Sequence, residues 1–273
     1  MKAPAGADAA RSWRTALITA TGELLSTGRI AGTALRLTMQ VFLLVVLWRA
    51  LYSDTVSSAG LVEEQAVTFA VLGALVGRIR GVDRSVARDT TLQHINSGTI
   101  VYWFLRPLPP RRYYFYRALG DQLYGFAWAA AGFVVCALCG VISAPASFRT
   151  AGTAAVSLFL GQVLYHYLLL LIDLMCFWTL RNQSGVLILM FAQNLLSGAF
   201  APLWYFPDWF QTMSSFLPFQ ATLNTPLSIY IERIPADSVG RELVVQLIWI
   251  ALLGGTSRLL WHRAARRVVS QGG

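Results

Sequence analysis

Charge is scarce in this sequence. Only 13% of its 273 residues are Asp, Glu, Lys or Arg, about half of the ~25% carried by an ordinary soluble domain, too little to clothe a water-facing surface. Hydrophobic residues reach 56%, which excludes intrinsic disorder, a state that needs low hydrophobicity. Lysine is nearly missing: Lys2 is the only one. A phosphate-cradling P-loop needs a lysine behind a glycine-rich turn, and the chain has neither, so work driven by ATP would require the ATPase to be another chain. Cysteine is also rare. Cys136, Cys139 and Cys176 lie in apolar segments, and the first two lack the second ligand pair of a zinc site; all three read as small residues packed within a membrane. The first 35 residues contain no continuous apolar core followed by a small-residue cleavage site, so no secretory signal is expected.

What is present is long apolar sequence. Uncharged runs cover 122–148, 150–172 and 182–207, each of a length that crosses a bilayer. Three shorter runs are bounded by charge: 37–48 by Arg36 and Arg49, 65–77 by Glu64 and Arg78, and 243–257 by Glu242 and Arg258. They become spans when their terminal arginines snorkel to the interface or face protein. The reading is an all-α integral membrane protein with six transmembrane helices, in one domain over 1–273. With both termini cytoplasmic, 18 of the 22 basic residues fall inside, and only Arg49, Arg149, Arg233 and Arg241 remain outside, as the positive-inside rule asks. The net charge of +9 is then an arginine-loaded cytoplasmic face that meets membrane lipids, with no nucleic-acid partner.

Two further segments are uncharged or amphipathic. Residues 209–231 are broken by Pro218 and Pro226 and carry Gln211, Thr212, Gln220 and Asn224. A seventh crossing there would move the cluster from Arg258 to Arg267 outside, so the region 204–241 reads as short extracellular re-entrant helices. Near the start, Trp13, Leu17, Leu24 and Leu25 stand among Arg, Thr and Ser, which suits an amphipathic helix on the inner leaflet within a cytoplasmic segment 1–29.

The most specific region is the predicted cytoplasmic loop 79–114. A polar helical stretch from Asp83 stops at Gly98, an apolar turn follows, and Arg106-Pro107-Leu108-Pro109-Pro110 makes a stiff corner. The pattern Gly98-Thr99-Ile100 followed by Arg106-Pro107-Leu108 resembles the cytoplasmic loop between spans two and three of type-two ATP-binding-cassette exporter permeases. A second stretch, Leu196-Ser197-Gly198 through Pro202, Phe206-Pro207 and Leu217-Pro218-Phe219, resembles the end of span five and the extracellular helices of that family. The two lie about 100 residues apart, in the family's order.

The resemblance implies a non-catalytic permease subunit, half of an ATP-binding-cassette exporter in a multi-pass bacterial inner or plasma membrane. It would pair with a second permease half, identical or related, and dock on ATPase subunits that hold ATP and Mg; no cofactor is expected on this chain. Arg88, His94, Ser97, Gly98, Thr99, Arg106 and Pro107 would form the coupling element that receives the ATPase. Spans two and five line the pathway in that family, so Glu64, Thr68, Gln193, Asn194 and Ser197 would line it here. Drugs, lipids, lipopeptides and natural products fit the apolar composition equally well as cargo, multidrug efflux among them.

Ionisable groups at mid-membrane depth cost about 2.5–3.5 kcal/mol on insertion scales, so others need a reason. Glu63 and Glu64 are expected about a turn inside the outer end of span two. Asp121 has Arg117 one turn before it, and Asp173 has His166 two turns before it and Arg181 beyond; paired structural charges are the default. A proton-coupled secondary transporter using Glu63, Glu64, Asp121 and Asp173 is the alternative reading, although the internal repeat common in that class is not visible. An intramembrane hydrolase built on Ser197 lacks the upstream glycine of a nucleophile elbow.

Overall fold

The computed structural model describes residues 27–53, 60–80, 99, 102, 110–179 and 183–271. The expected interfacial helix around residues 11–25 lies outside them. Among the described residues eight helices follow one another: α1 (Thr27–Tyr52), α2 (Glu63–Arg80), α3 (Pro110–Leu138), α4 (Phe148–Thr179), α5 (Gln183–Leu196), α6 (Asp208–Ser215), α7 (Pro218–Tyr230) and α8 (Val239–Gln271), with a 3₁₀ turn at Leu203–Tyr205 before α6. No β-sheet forms among the described residues.

Length separates these helices. At 1.5 Å per residue, the 26, 32 and 33 residues of α1, α4 and α8 reach about 39, 48 and 50 Å, beyond the ~30 Å of a hydrocarbon core. These three are long and apolar enough to cross a membrane, and shorter apolar helices occupy Gln122–Leu138 and Leu187–Leu196. The sequence ranked the segments of α1 and α8 as weaker because arginine bounds their uncharged runs. In the structure the helix simply continues through Arg36, Arg49 and Arg258.

Helix ends fall where local chemistry closes them. Ser147 caps α4 by accepting the Thr150 N–H at 3.1 Å on its hydroxyl. At the far end of α3, Gly140 adopts φ +67°, and the N–H groups of Gly140 and Val141 reach the carbonyls of Ala137 and Cys136 at 3.1 and 2.9 Å. This is a Schellman closure, and it ends α3 inside the uncharged run 122–148. The run 182–207 is divided in the same way: α5 stops at Leu196, and Gly198 at φ +79° turns the chain. The 209–231 segment is two helices, α6 and α7, separated at Phe216 and Leu217. Pro218 opens α7 at a position where its missing N–H removes no helical bond.

The helices form two groups. α2 packs between α1 and α3, and α4 packs along both α7 and α8. α7 joins the groups, since it also touches α2, α5 and α8. Almost every residue from Pro218 to Ile229 is buried, including Thr222, Asn224, Thr225 and Ser228. A polar helix therefore sits at the centre of the bundle. Many large exposed side chains of α1, α5 and α8 are apolar, among them Phe42, Leu43, Ile188, Phe191, Leu252 and Leu259. Surface of this kind suits a hydrocarbon surrounding and would cost free energy in water.

Candidate functional site

The polar side chains of the bundle converge on α7. At its N-terminal end, Thr222 Oγ1 donates to the Phe219 carbonyl at 2.7 Å and accepts from Gln193 Nε2 of α5 at 2.6 Å and from Arg80 Nη1 of α2 at 3.3 Å. Arg80 Nη2 donates to the Thr222 carbonyl, and the guanidinium carbon lies 5.1 Å from the centre of the Tyr165 ring of α4. Nearby, the buried amide of Gln246 on α8 ties three helices together. Its Oε1 accepts from Ser157 Oγ at 3.1 Å, and its Nε2 donates to the carbonyls of Ser157 and Ala221 at 3.0 and 2.7 Å. α4 can come this close to α7 because position 161 is glycine: a Cβ there would stand 2.5 Å from the Thr222 carbonyl oxygen.

Beyond α5 the backbone is not helical, a state tolerated at membrane depth only where protein covers it. Ser197 is fully buried and Gly198 lies against Asn224. Ser197 Oγ, Gln193 Oε1, Asn224 Oδ1 and Ser228 Oγ are buried and make no hydrogen bond among the described residues.

The other end of α7 is held by a clasp. Thr68 Oγ1 accepts the Ser143 N–H at 2.9 Å and donates to Ser143 Oγ at 3.2 Å. Gln65 Nε2 donates to the Ile231 carbonyl at 3.1 Å, and Tyr230 Oη to the Ser143 carbonyl at 3.2 Å. Thr150 Oγ1 donates to Glu232 at 3.2 Å, and Glu232 closes α7 at φ +60°. A cleft of about 130 Å³ lies among Gln65, Thr68, Ser143, Tyr230 and Glu232. Beside it, Trp48, Tyr52, Phe69, Trp204 and Tyr205 form an aromatic group. Arg233 lies over the Trp204 ring at 4.6 Å, and burial pushes its guanidinium below the ordinary arginine value.

The five residues expected to line a pathway separate into two kinds. Thr68, Gln193 and Ser197 are buried within one copy of the chain, whereas Glu64 and Asn194 are exposed. Glu64 and Thr68 therefore do not present one common surface. Glu63 and Glu64 open α2 rather than lying a turn inside it, and Glu63 faces Arg49 at 3.6 Å with both side chains largely exposed. Thr68→Val is expected to destabilise the protein by about 1 kcal/mol, because the Ser143 N–H loses its acceptor in a part-buried site. A shift in the unfolding midpoint checks this, and an unchanged midpoint would show that the clasp contributes nothing.

Thr99 is the one coupling residue that is described, and its carbonyl accepts the Tyr102 N–H at 3.1 Å. Arg88, His94, Ser97, Gly98, Arg106 and Pro107 lie outside the described residues, as do Arg181 and the side chains of Asp121 and Cys176. Asp173 and His166 are buried in α4, with His166 edge-on to Phe115 at 5.2 Å. Cys136 is buried and Cys139 exposed, both as free thiols. Sequence reasoning missed Arg80, Gln246 and Thr222. The available signal was a Gln inside one apolar run and a Ser inside another, with a proline four residues after a threonine.

Long apolar helices around a sealed polar one define a membrane-embedded helical protein. Comparison with protein families places it further: the profile of the ABC-2 family transporter proteins matches residues 37–272, and the chain belongs to that family. It is thus a permease subunit of the ATP-binding-cassette class, whose members are transport components that work with ATPase partners. No curated protein and no solved structure matches the chain.

Proposed function

We propose that this chain is one half of an exporter. It spans the membrane six times through α1 to α5 and α8, with both termini cytoplasmic and α6 and α7 entering as a re-entrant pair from the outside. Two halves enclose a central route for an apolar or amphipathic cargo, and an ATPase docks beneath each through the loop 79–114.

The observation that carries this reading is the outward face of α5. Leu187, Phe191 and Asn194 are all exposed and lie on one side of the helix at spacings of four and three. An amide on an otherwise apolar stripe is costly against lipid and acceptable against another helix or a polar route. Gln193 and Ser197, one and three residues from Asn194, are buried within the chain with unspent acceptors and give this end of α5 a polar interior.

The test uses the permease expressed with its ATPase subunit. Asn194→Leu and Glu64→Gln, which nearly conserve volume, should change cargo-stimulated ATP hydrolysis while leaving assembly intact. Arg88→Glu, Ser97→Trp and Gly98→Val should reduce co-purification of the ATPase or uncouple hydrolysis from transport, because charge reversal and enlargement disrupt a docked helix. Wild-type behaviour in all five variants would overturn the proposal.

A further inference from the structure

We infer that Arg80 is a positioning residue that links the cytoplasmic loop to the buried helix α7, and that Pro226 creates its attachment point; the inference rests on the reading of that loop as the place where the ATPase acts. Proline has no N–H, so Pro226 cannot donate to the carbonyl four residues earlier. That carbonyl belongs to Thr222. A carbonyl left open inside a bundle needs another donor, and Arg80 Nη2 supplies it while Nη1 reaches Thr222 Oγ1 at 3.3 Å.

The placement of Arg80 gives this contact a mechanical meaning. It is the last residue of α2, eight residues before Arg88, the first of the proposed coupling residues. Among the described residues the guanidinium makes no ion pair, and its contacts there are to Thr222 and the Tyr165 ring. Thr222 passes the tie on to α5 through Gln193 at 2.6 Å. A displacement at the loop end of α2 therefore pulls directly on α7 and α5. Two turns back along α2, Gly73 lies against Leu227 of α7, an apolar contact.

The test separates transmission from simple capping. Arg80→Met alone leaves the Thr222 carbonyl open and can fail through folding, so it is compared with Arg80→Met combined with Pro226→Ala. Alanine at 226 restores the backbone N–H and closes the carbonyl within α7, so the double variant needs no guanidinium to fold. Each variant carries Gln220→Cys in a cysteine-free background and is reconstituted with the ATPase subunit. The readouts are ATPase co-purification, ATP hydrolysis, and the change in N-ethylmaleimide labelling at position 220 between nucleotide-free and vanadate-trapped states.

With Arg80 and Pro226 in place, trapping should change the labelling rate. In the double variant the ATPase should still bind and hydrolyse ATP, while the nucleotide-driven change at 220 should fall by about tenfold, within the range of ordinary site-to-site coupling. A double variant that keeps the full change would show that Arg80 only caps a carbonyl, and the inference would be overturned. Loss of ATPase binding in the double variant would also overturn it, because Arg80 would then serve docking. If the chain with native Arg80 and Pro226 neither binds the ATPase nor responds to nucleotide, the coupling reading itself fails.

Discussion

Gly161→Val should destabilise the folded protein by about 1–3 kcal/mol, the usual range for over-packing and the largest effect of any substitution considered. A Cβ at 161 would meet the oxygen, carbon and Cα of Thr222 at 2.5, 3.1 and 3.2 Å. These are backbone atoms of a helix and cannot rotate aside, so α4 and α7 must separate. Separation would also pull Thr222 from Arg80 and Gln193. The same helix supplies a control. Gly152 has nothing within 4 Å of the position its Cβ would take, so Gly152→Ala should stabilise α4 by about 0.5–1 kcal/mol through helix propensity alone. Unfolding in detergent, followed by the fluorescence of the nine tryptophans, would measure both. Equal midpoints for the native protein and Gly161→Val would mean that α4 and α7 do not touch at this point.

The second large effect is expected at Gln246. Leucine matches its bulk but removes three hydrogen bonds, two to Ser157 and one to the Ala221 carbonyl. Interhelical bonds in a membrane average about 0.6 kcal/mol each and reach about 1.7, so the loss should be roughly 2 kcal/mol. The effect should be non-additive with Ser157→Ala, since the Ser157 hydroxyl makes one of the three bonds and both substitutions remove it. A double-mutant cycle that gave simple additivity would dissociate the two side chains and refute the contact.

The sequence carried the apolar architecture well and the polar interior poorly, for separable reasons. Helical segments were visible as uncharged runs, but run length misjudged four of them. Arg36 and Arg49 interrupt a run without interrupting α1, because a long cationic side chain can leave the apolar layer while its backbone continues. In the opposite direction, 122–148 and 182–207 each read as one crossing, yet Gly140 and Gly198 at positive φ end their helices early. The family motifs were legible because they are local. Thr222, Arg80, Gln193 and Gln246 come from four different helices, and no spacing along the chain announces that they meet. Pro226 was read only as a break in the 209–231 segment, although counting back four residues reaches the Thr222 carbonyl that its ring leaves without a donor. Of the five candidate pathway residues only Glu64 is ionisable, and two of the neutral ones, Thr68 and Gln193, hydrogen-bond within the bundle.

The length of α8 has a consequence for the surrounding lipid. Its 33 residues extend about 50 Å, and Arg258 stands 16 residues after Glu242, about 24 Å along the axis, somewhat less than the ~30 Å thickness of a hydrocarbon layer. Exposed Arg258, His262 and Arg263 thus mark a boundary that the apolar layer should not pass. α4 is bound to α8 along its length, and α7 is bound to both, so the three cannot tilt independently. A thinner or thicker bilayer must be met by tilting this block as one body or by deforming the lipid around it. The acyl-chain length of the membrane thereby acts on the same helix that carries Thr222.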